Sequence, residues 1–233
     1  MPDFWEVLYT RRSIREFKKG APVEPWKIEK ILDAARWAPS PENMQYWRMV
    51  LVRDQEMKEY IADMAQEHGA TVFGNFPYEI VEDRLWYIPE KSRAAVIERA
   101  YDGTLFRYPE DADTVIVPCA NTTAFDITPA YPSSTEVMVV STSMAIQNMW
   151  LATRALNLGM GYDALPCGDH RRREKLADKL GLPRGVFPLT TLAVGVPLFP
   201  RTATPARYPL EGIVYEEYWG NPYKRLAFRK KDD

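Results

Sequence analysis

Apolar positions in the first third of the chain recur with a helical period, then in a strand-like run, then helically again. In VEPWKIEKILDAARWAP, Ile28, Ile31, Leu32 and Ala35 share one helical face, Pro25 suits the first turn and Pro39 stops the helix. A shorter helix precedes it, with Asp3 and Glu6 spaced as a capping box and an end near Thr10. WRMVLVRD, residues 47–54, reads as a strand. In QEMKEYIADMAQEHG, Met57, Tyr60, Ile61 and Met64 fall in helical register, and Gly69 is expected to cap the C-terminal end.

Periodicity fails over residues 70–111, where aromatic and charged residues alternate with breakers. One helix is expected there, from Ser92 to Tyr101, within an otherwise irregular excursion of the kind that builds lids and binding loops. DTVIVPCA, residues 113–120, is β-branched enough for a buried strand. The stretch from Thr135 to Asn157 is apolar on nearly every side, so the helix it predicts should run through the centre of a structure, part of its cover coming from a second subunit. LGMG is expected to turn, HRRREKLADKLG to form a helix capped by Gly181, and FPLTTLAVGVP to be the last strand. Helices and strands intermixed in this order predict an α/β or α+β sandwich around one sheet.

Composition narrows the function more than the fold. The 233 residues suit one domain, and no repeat or Gly/Ser linker divides them. Thirty basic and 32 acidic side chains leave a net charge of −2, which excludes a surface given over to nucleic acid or anionic lipid; an anion site must be local. No apolar run is long enough to span a bilayer, MPDFWEVL does not read as a signal peptide, and two cysteines make no disulfide framework, so a cytoplasmic location is expected. His68 and His170 lack metal-spaced partners, and no GxSxG, Walker or GxGxxG motif occurs. Cys167, on a turn beside a helix start, is either a reactive thiol or a small tolerated side chain, whereas Cys119 reads as core.

Four segments remain: RRSIREF at 11–17, APSPENMQYW at 38–47, LPCGD at 165–169 and ARYPLEGIV at 206–214. Each has an ordinary explanation alone, as a solvated charged face, a helix stop, a turn, or an Arg207–Glu211 pair. In this order, with the long apolar helix ending LGMG and with VGVP before the last motif, the chain resembles the FMN-dependent nitroreductase superfamily, which also holds the iodotyrosine deiodinases and the flavin-fragmenting enzyme of cobalamin biosynthesis. The likeness covers the first fifty residues and 135–215, and leaves 70–111 uncovered.

The resemblance implies an α+β three-layer sandwich with a mainly antiparallel sheet, one FMN-binding domain over 1–233, and a domain-exchanged homodimer with the residues 211–233 wrapping the partner. It implies Arg11, Ser13 and Arg207 on the FMN phosphate, Arg12 along the ribityl chain and Arg15 at the pyrimidine edge. Planar guanidinium forks and a hydroxyl are the donors a phosphomonoester binds best, and a cation near flavin N1 tunes its potential. Pro39, Ser40, Asn43 and Gln45 map to the segment that meets the flavin of the other subunit, and Leu165, Pro166 and Gly168 to the loop facing flavin N5. Leu165 is expected to donate to N5, with a shift of register moving the role to Cys167 or Gly168. No side chain is assigned a catalytic acid–base role.

The implied reaction is ping-pong: NADH or NADPH passes a hydride to the flavin, and an electron-poor acceptor such as a nitroaromatic or quinone takes it up. Tyr78, Trp86, Tyr87 and Phe106, in the lid at 70–111, are candidates for stacking on that acceptor. A reductive dehalogenase, an ene-type reductase or dehydrogenase, a flavin-fragmenting enzyme and a non-catalytic anion binder are the competing readings.

Overall fold

The computed structural model describes residues 2–122, 134–199 and 207–223. Helix α1 spans Phe4–Thr10, α2 Pro25–Arg36, α3 Gln55–Gly74, α4 Tyr78–Arg84, α5 Glu90–Tyr101, α6 Ser134–Ala155 and α7 His170–Lys179. The strands are β1 Trp47–Val52, β2 Thr114–Asn121, β3 Gly159–Asp163, β4 Val186–Pro188 and β5 Thr191–Gly195. All named strand pairs are antiparallel, in the order β1-β2-β5-β3, with β4 also on β2.

Alternation along the strands divides the core into two layers. Ile116, Leu192 and Val194 face Ile28, Ile31, Ala145 and Met149 of α2 and α6, while Val115, Val117 and Ala193 face Ile61, Met64 and Leu176 of α3 and α7. Both faces of the sheet are therefore covered, which gives the α+β three-layer sandwich expected. Among the described residues no helix is long and apolar enough to cross a membrane.

The expected last strand is two. Residues 192–194 pair with 114–116, but 186–188 pair with 119–121, so three residues of one side oppose two of the other. This is a bulge opposite Pro118, whose missing N–H falls on that side, and whose carbonyl accepts from Leu189 N–H at 2.9 Å.

Three further expectations are corrected. Gly69 does not end α3, which runs on to Gly74; a Cβ at Gly69 would lie 2.3 Å from the Phe106 ring, so the glycine serves packing within the helix. LGMG is no turn but the start of β3, because Gly159 and Gly161 leave room for Ile14 and Tyr108. Most of 70–111 is ordered into α4, α5 and two 3-10 turns.

The helix ends follow local chemistry. Asp3 caps α1 by accepting from Trp5 and Glu6 N–H, but Glu6 does not complete a box and sits 3.9 Å from Arg154. Gly181, at φ +66, ends α7 with a Leu182 N–H to Ala177 carbonyl bond at 2.9 Å. Asn157, at φ 58, does the same for α6 with Leu158 N–H on Thr153 carbonyl at 3.0 Å. In this single chain α6 is not covered all round: Glu136, Val140, Ser143 and Gln147 form an exposed stripe.

Candidate functional site

The RRSIREF segment is held against the outer edge of β3. Ser13 bridges Met160 in parallel, Ile14 N–H donates to Met160 carbonyl at 3.0 Å, and Phe17 bridges Pro197 beyond β5. Such close approach needs glycine opposite: a Cβ at Gly161 would lie 2.5 Å from Ile14 carbonyl oxygen and 2.4 Å from the Tyr108 ring. β3 alternates, so Met160 faces the α6 layer while Gly161 is covered by Tyr108. The arginines on either side of Ser13 consequently meet different surroundings.

Arg11 lies on the α6 side. Its guanidinium sits 4.2 Å from the centroid of the Trp150 ring, and Tyr162 stacks on the same indole at 5.9 Å and an interplanar angle of 7°. The cation–π contact fixes the plane of the fork. α1 is anchored close by, through Arg154 Nε donating to Thr10 Oγ1 at 2.9 Å. Burial lowers the proton affinity of Arg11, and the Arg207 guanidinium lowers it further. Two like charges from opposite ends of the chain therefore converge, and among the described residues no carboxylate pairs with Arg11. That is a donor set suited to a dianion such as a phosphomonoester.

Arg15 turns to the other side, toward Tyr108 and Asp163. Tyr108 and Asp163 are buried, and neither the Tyr108 hydroxyl nor Asp163 Oδ2 has a regular hydrogen bond among the described residues. Asp163 Oδ1 accepts from Leu165 N–H at 2.9 Å. Burial pushes the Asp163 carboxyl up to about 6, against the pull of that N–H and of Arg15. Burial likewise holds the Tyr108 phenol well above its usual value.

The 165–168 turn is internally bonded. Leu165 N–H, expected to face flavin N5, donates to Asp163 Oδ1 in this chain. Cys167 N–H closes on Ala164 carbonyl at 2.9 Å and Gly168 N–H on Leu165 carbonyl at 3.2 Å. The same Leu165 oxygen is contacted by His68 Nδ1 at 2.8 Å, which must then be the donor. Gly168 is obligatory here because a Cβ would meet the His68 ring at 2.4 Å. Burial pushes the Cys167 thiol up to about 12, which makes it an inert packing group, and Cys119 is raised in the same way.

Pro39, Ser40, Asn43 and Gln45 are not brought to Arg11 in this chain. They form a tight loop after α2, in which Ser40 Oγ accepts from Gln45 N–H at 2.9 Å and Gln45 Nε2 donates to Asn43 carbonyl at 3.2 Å. Glu42, Asn43 and Gln45 all have left-handed backbones, at φ 51, 56 and 49, a concentration of strain typical of functional loops. Tyr46, at the loop's end, packs on Met138 near the start of α6. Trp150 is twelve residues further along that helix, about 18 Å away at 1.5 Å per residue.

In the lid, Trp86 and Tyr87 are exposed and meet edge to face at 6.1 Å, with Arg93 holding the Trp86 and Ile88 carbonyls. Tyr78 is also exposed, at the start of α4. Phe106 differs: it stacks on Phe73 at 5.5 Å and fills the space above Gly69. A cavity of about 330 Å³ between α3 and α7 lies on the opposite face of the sheet from Arg11, and its Arg172 is matched by Glu67 and Asp169.

The nitroreductase family profile matches residues 8–196, which takes in the β3-edge segment, the 165–168 turn and the whole sheet. The chain belongs to the nitroreductase family. Family membership classes it as an FMN-dependent NAD(P)H oxidoreductase. Among its relatives, an Archaeoglobus fulgidus protein provisionally named NADH dehydrogenase/NAD(P)H nitroreductase is 28% identical over 200 residues, covering 84% of this chain and 87% of its own. The FMN reductase [NAD(P)H] of Bacillus subtilis is 26% identical over 224 residues, covering 95% of this chain and 76% of its own. The crystal structure of the NADPH:FMN oxidoreductase from Vibrio harveyi complexed with NAD+ superposes with a TM-score of 0.67 at 21% identity, covering 96% of this chain and 79% of that one.

Trp150, Tyr162, Asp163 and Tyr108 were not legible as site residues before folding. The one available signal was Asp163 itself, an acid at the end of an otherwise small and apolar strand.

Proposed function

We propose that this nitroreductase-family chain binds FMN along the β3 edge, takes reducing equivalents from NADH or NADPH, and delivers them to a small electron-poor acceptor such as a nitroaromatic or quinone. The observation that carries the reading is the convergence of Arg11 and Arg207, whose mutual repulsion a phosphate would relieve. Ser13 adds a hydroxyl to that phosphate, Arg12 follows the ribityl chain, and Arg15 reaches the pyrimidine edge. FMN held there would supply two-electron chemistry between the nicotinamide and a small electron-poor acceptor.

The chain's own part is to bind, orient and exclude water. Among the N–H groups of the 165–168 turn, that of Gly168 is held most weakly, at 3.2 Å to an oxygen shared with His68, so it is the donor a flavin N5 recruits at least cost. The strained loop carrying Pro39, Ser40, Asn43 and Gln45 lies too far along α6 to serve the same flavin as Arg11, and we assign it to the flavin of a second subunit. A homodimer fits the exposed stripe on α6 and the exposed apolar residues Phe4, Trp5 and Tyr9 of α1. The tail from 211 wraps the partner in this reading; its residues 224–233 lie outside the described residues. Trp86, Tyr87 and Tyr78 cover the acceptor, and Phe106 braces α3 beneath them.

Purified protein is expected to carry a flavin spectrum, or to take one up with FMN, and to bleach when NADH or NADPH is added without oxygen. A bound flavin that neither donor reduces would remove the nicotinamide half of the proposal.

A further inference from the structure

Asp163 sits where a charge is costly. It is 4% exposed, at the end of β3, with Oδ1 on Leu165 N–H and Oδ2 buried and unpartnered among the described residues. The Tyr108 hydroxyl, equally buried, feels its charge and that of Arg15. The main-chain oxygen of Asp163 accepts from Thr190 Oγ1 at 2.7 Å and Thr191 Oγ1 at 3.2 Å, so the strand end is fixed without help from the carboxylate. An asparagine would cap Leu165 as well. What an asparagine would not supply is a negative charge beside Arg15.

Resting on the FMN reading above, we propose that Asp163 is a positioning residue that acts through Arg15: its buried carboxylate offsets the Arg15 charge at the flavin pyrimidine edge and thereby sets the flavin reduction potential. Negative charge gathers at that edge on reduction, and a cation there raises the potential. An ionised Asp163 cancels part of the cation's effect. A protonated one leaves Arg15 uncompensated.

The groups that face Asp163 are Arg15 from the N-terminal segment, Tyr108 from the turn before β2 and Cys167 from the following turn. His68 of α3 touches the Leu165 carbonyl. With Tyr108 raised and Cys167 near 12, neither titrates between pH 5 and 8, whereas the Asp163 carboxyl, held near 6, does. The sign follows: below about pH 6 the carboxyl is protonated and the potential is high, and above it the potential falls faster with pH than flavin protonation alone requires.

The test is the FMN midpoint potential from pH 5 to 8 in wild type, D163N and R15Q. The expected result is a steeper segment above about pH 6 in wild type, and in D163N no such segment and a higher potential at pH 8 that merges with wild type near pH 5. In R15Q the steep segment should move to higher pH, because Arg15 no longer favours the ionised carboxyl. D163N potentials that run parallel to wild type throughout would overturn the proposal. If D163N does not fold or bind FMN, an unmoved inflection in R15Q overturns it instead. Wild-type protein that takes up no FMN at all removes the cofactor reading on which it rests.

Discussion

A buried carboxylate such as Asp163 stores free energy that pH can release. Its folded-state value near 6 lies above the ordinary 3.8, so the folded form is favoured when it is protonated and loses stability as pH rises through 6. A shift of about two units is worth at most about 3 kcal/mol. D163N, which keeps an acceptor for Leu165 N–H, is therefore expected to melt higher than wild type at pH 8 in the FMN-free state, with the advantage gone near pH 4. Thermal unfolding of both apoproteins at the two pH values measures this. Equal differences at both would show that the charge is not the cause.

Residue identity alone announced some of the site and concealed the rest. Arg11, Ser13 and Arg15 stand out because cations and a hydroxyl crowd a short segment. Asp163 and Tyr108 do not, because their meaning depends on a contact across 55 residues of sequence that only folding creates. Leu165 illustrates a different limit. Its place on the turn was foreseeable, but not that a side chain two residues earlier would take its N–H.

At the scale of elements, β3 shows why spacing misled. Two glycines in LGMG read as a turn, yet they are strand residues made small by what covers them. Gly161→Ala would place a methyl 2.4 Å from the Tyr108 ring and 2.5 Å from the Ile14 carbonyl oxygen. The backbone contact cannot give way as a flexible side chain would. A loss of about 1–3 kcal/mol in unfolding free energy is expected, together with weakened FMN affinity, since the same shift displaces the RRSIREF segment. Chemical denaturation and FMN titration of G161A test the two effects; an unchanged denaturation midpoint would refute the packing account. Helices α2 and α3 were readable from their apolar periods, and α6 from a long run that is apolar on nearly every side. The bulge between β4 and β5 was not, although Pro118 supplies its cause, since nothing in the sequence says which neighbour a missing N–H will face.

Across the whole molecule, the sandwich brings chain segments nearly two hundred residues apart to one edge of the sheet. Its α6 layer holds the Arg11 plane through Trp150, and its α3 layer holds the 165–168 turn through His68. The loop at 39–45, at the far end of α6, gathers three left-handed residues at a distance from Arg11. Sedimentation or scattering should therefore give a dimer, and charge placed on the exposed α6 stripe, as in Val140→Glu, should dissociate it and lower FMN affinity together. A monomeric wild type with undiminished FMN affinity would contradict the shared site.

The central claim is that guanidiniums from both ends of the polypeptide grip one phosphate. Equilibrium binding of FMN and of riboflavin, which lacks the phosphate, to wild type, R11A, R207A and the double variant tests it most directly. Each single substitution is predicted to weaken FMN binding about tenfold or more, the value of one charge-assisted contact, with losses that are not additive because the phosphate is shared. Riboflavin affinity should barely change. Equal losses for FMN and riboflavin, or none for either, would contradict the account.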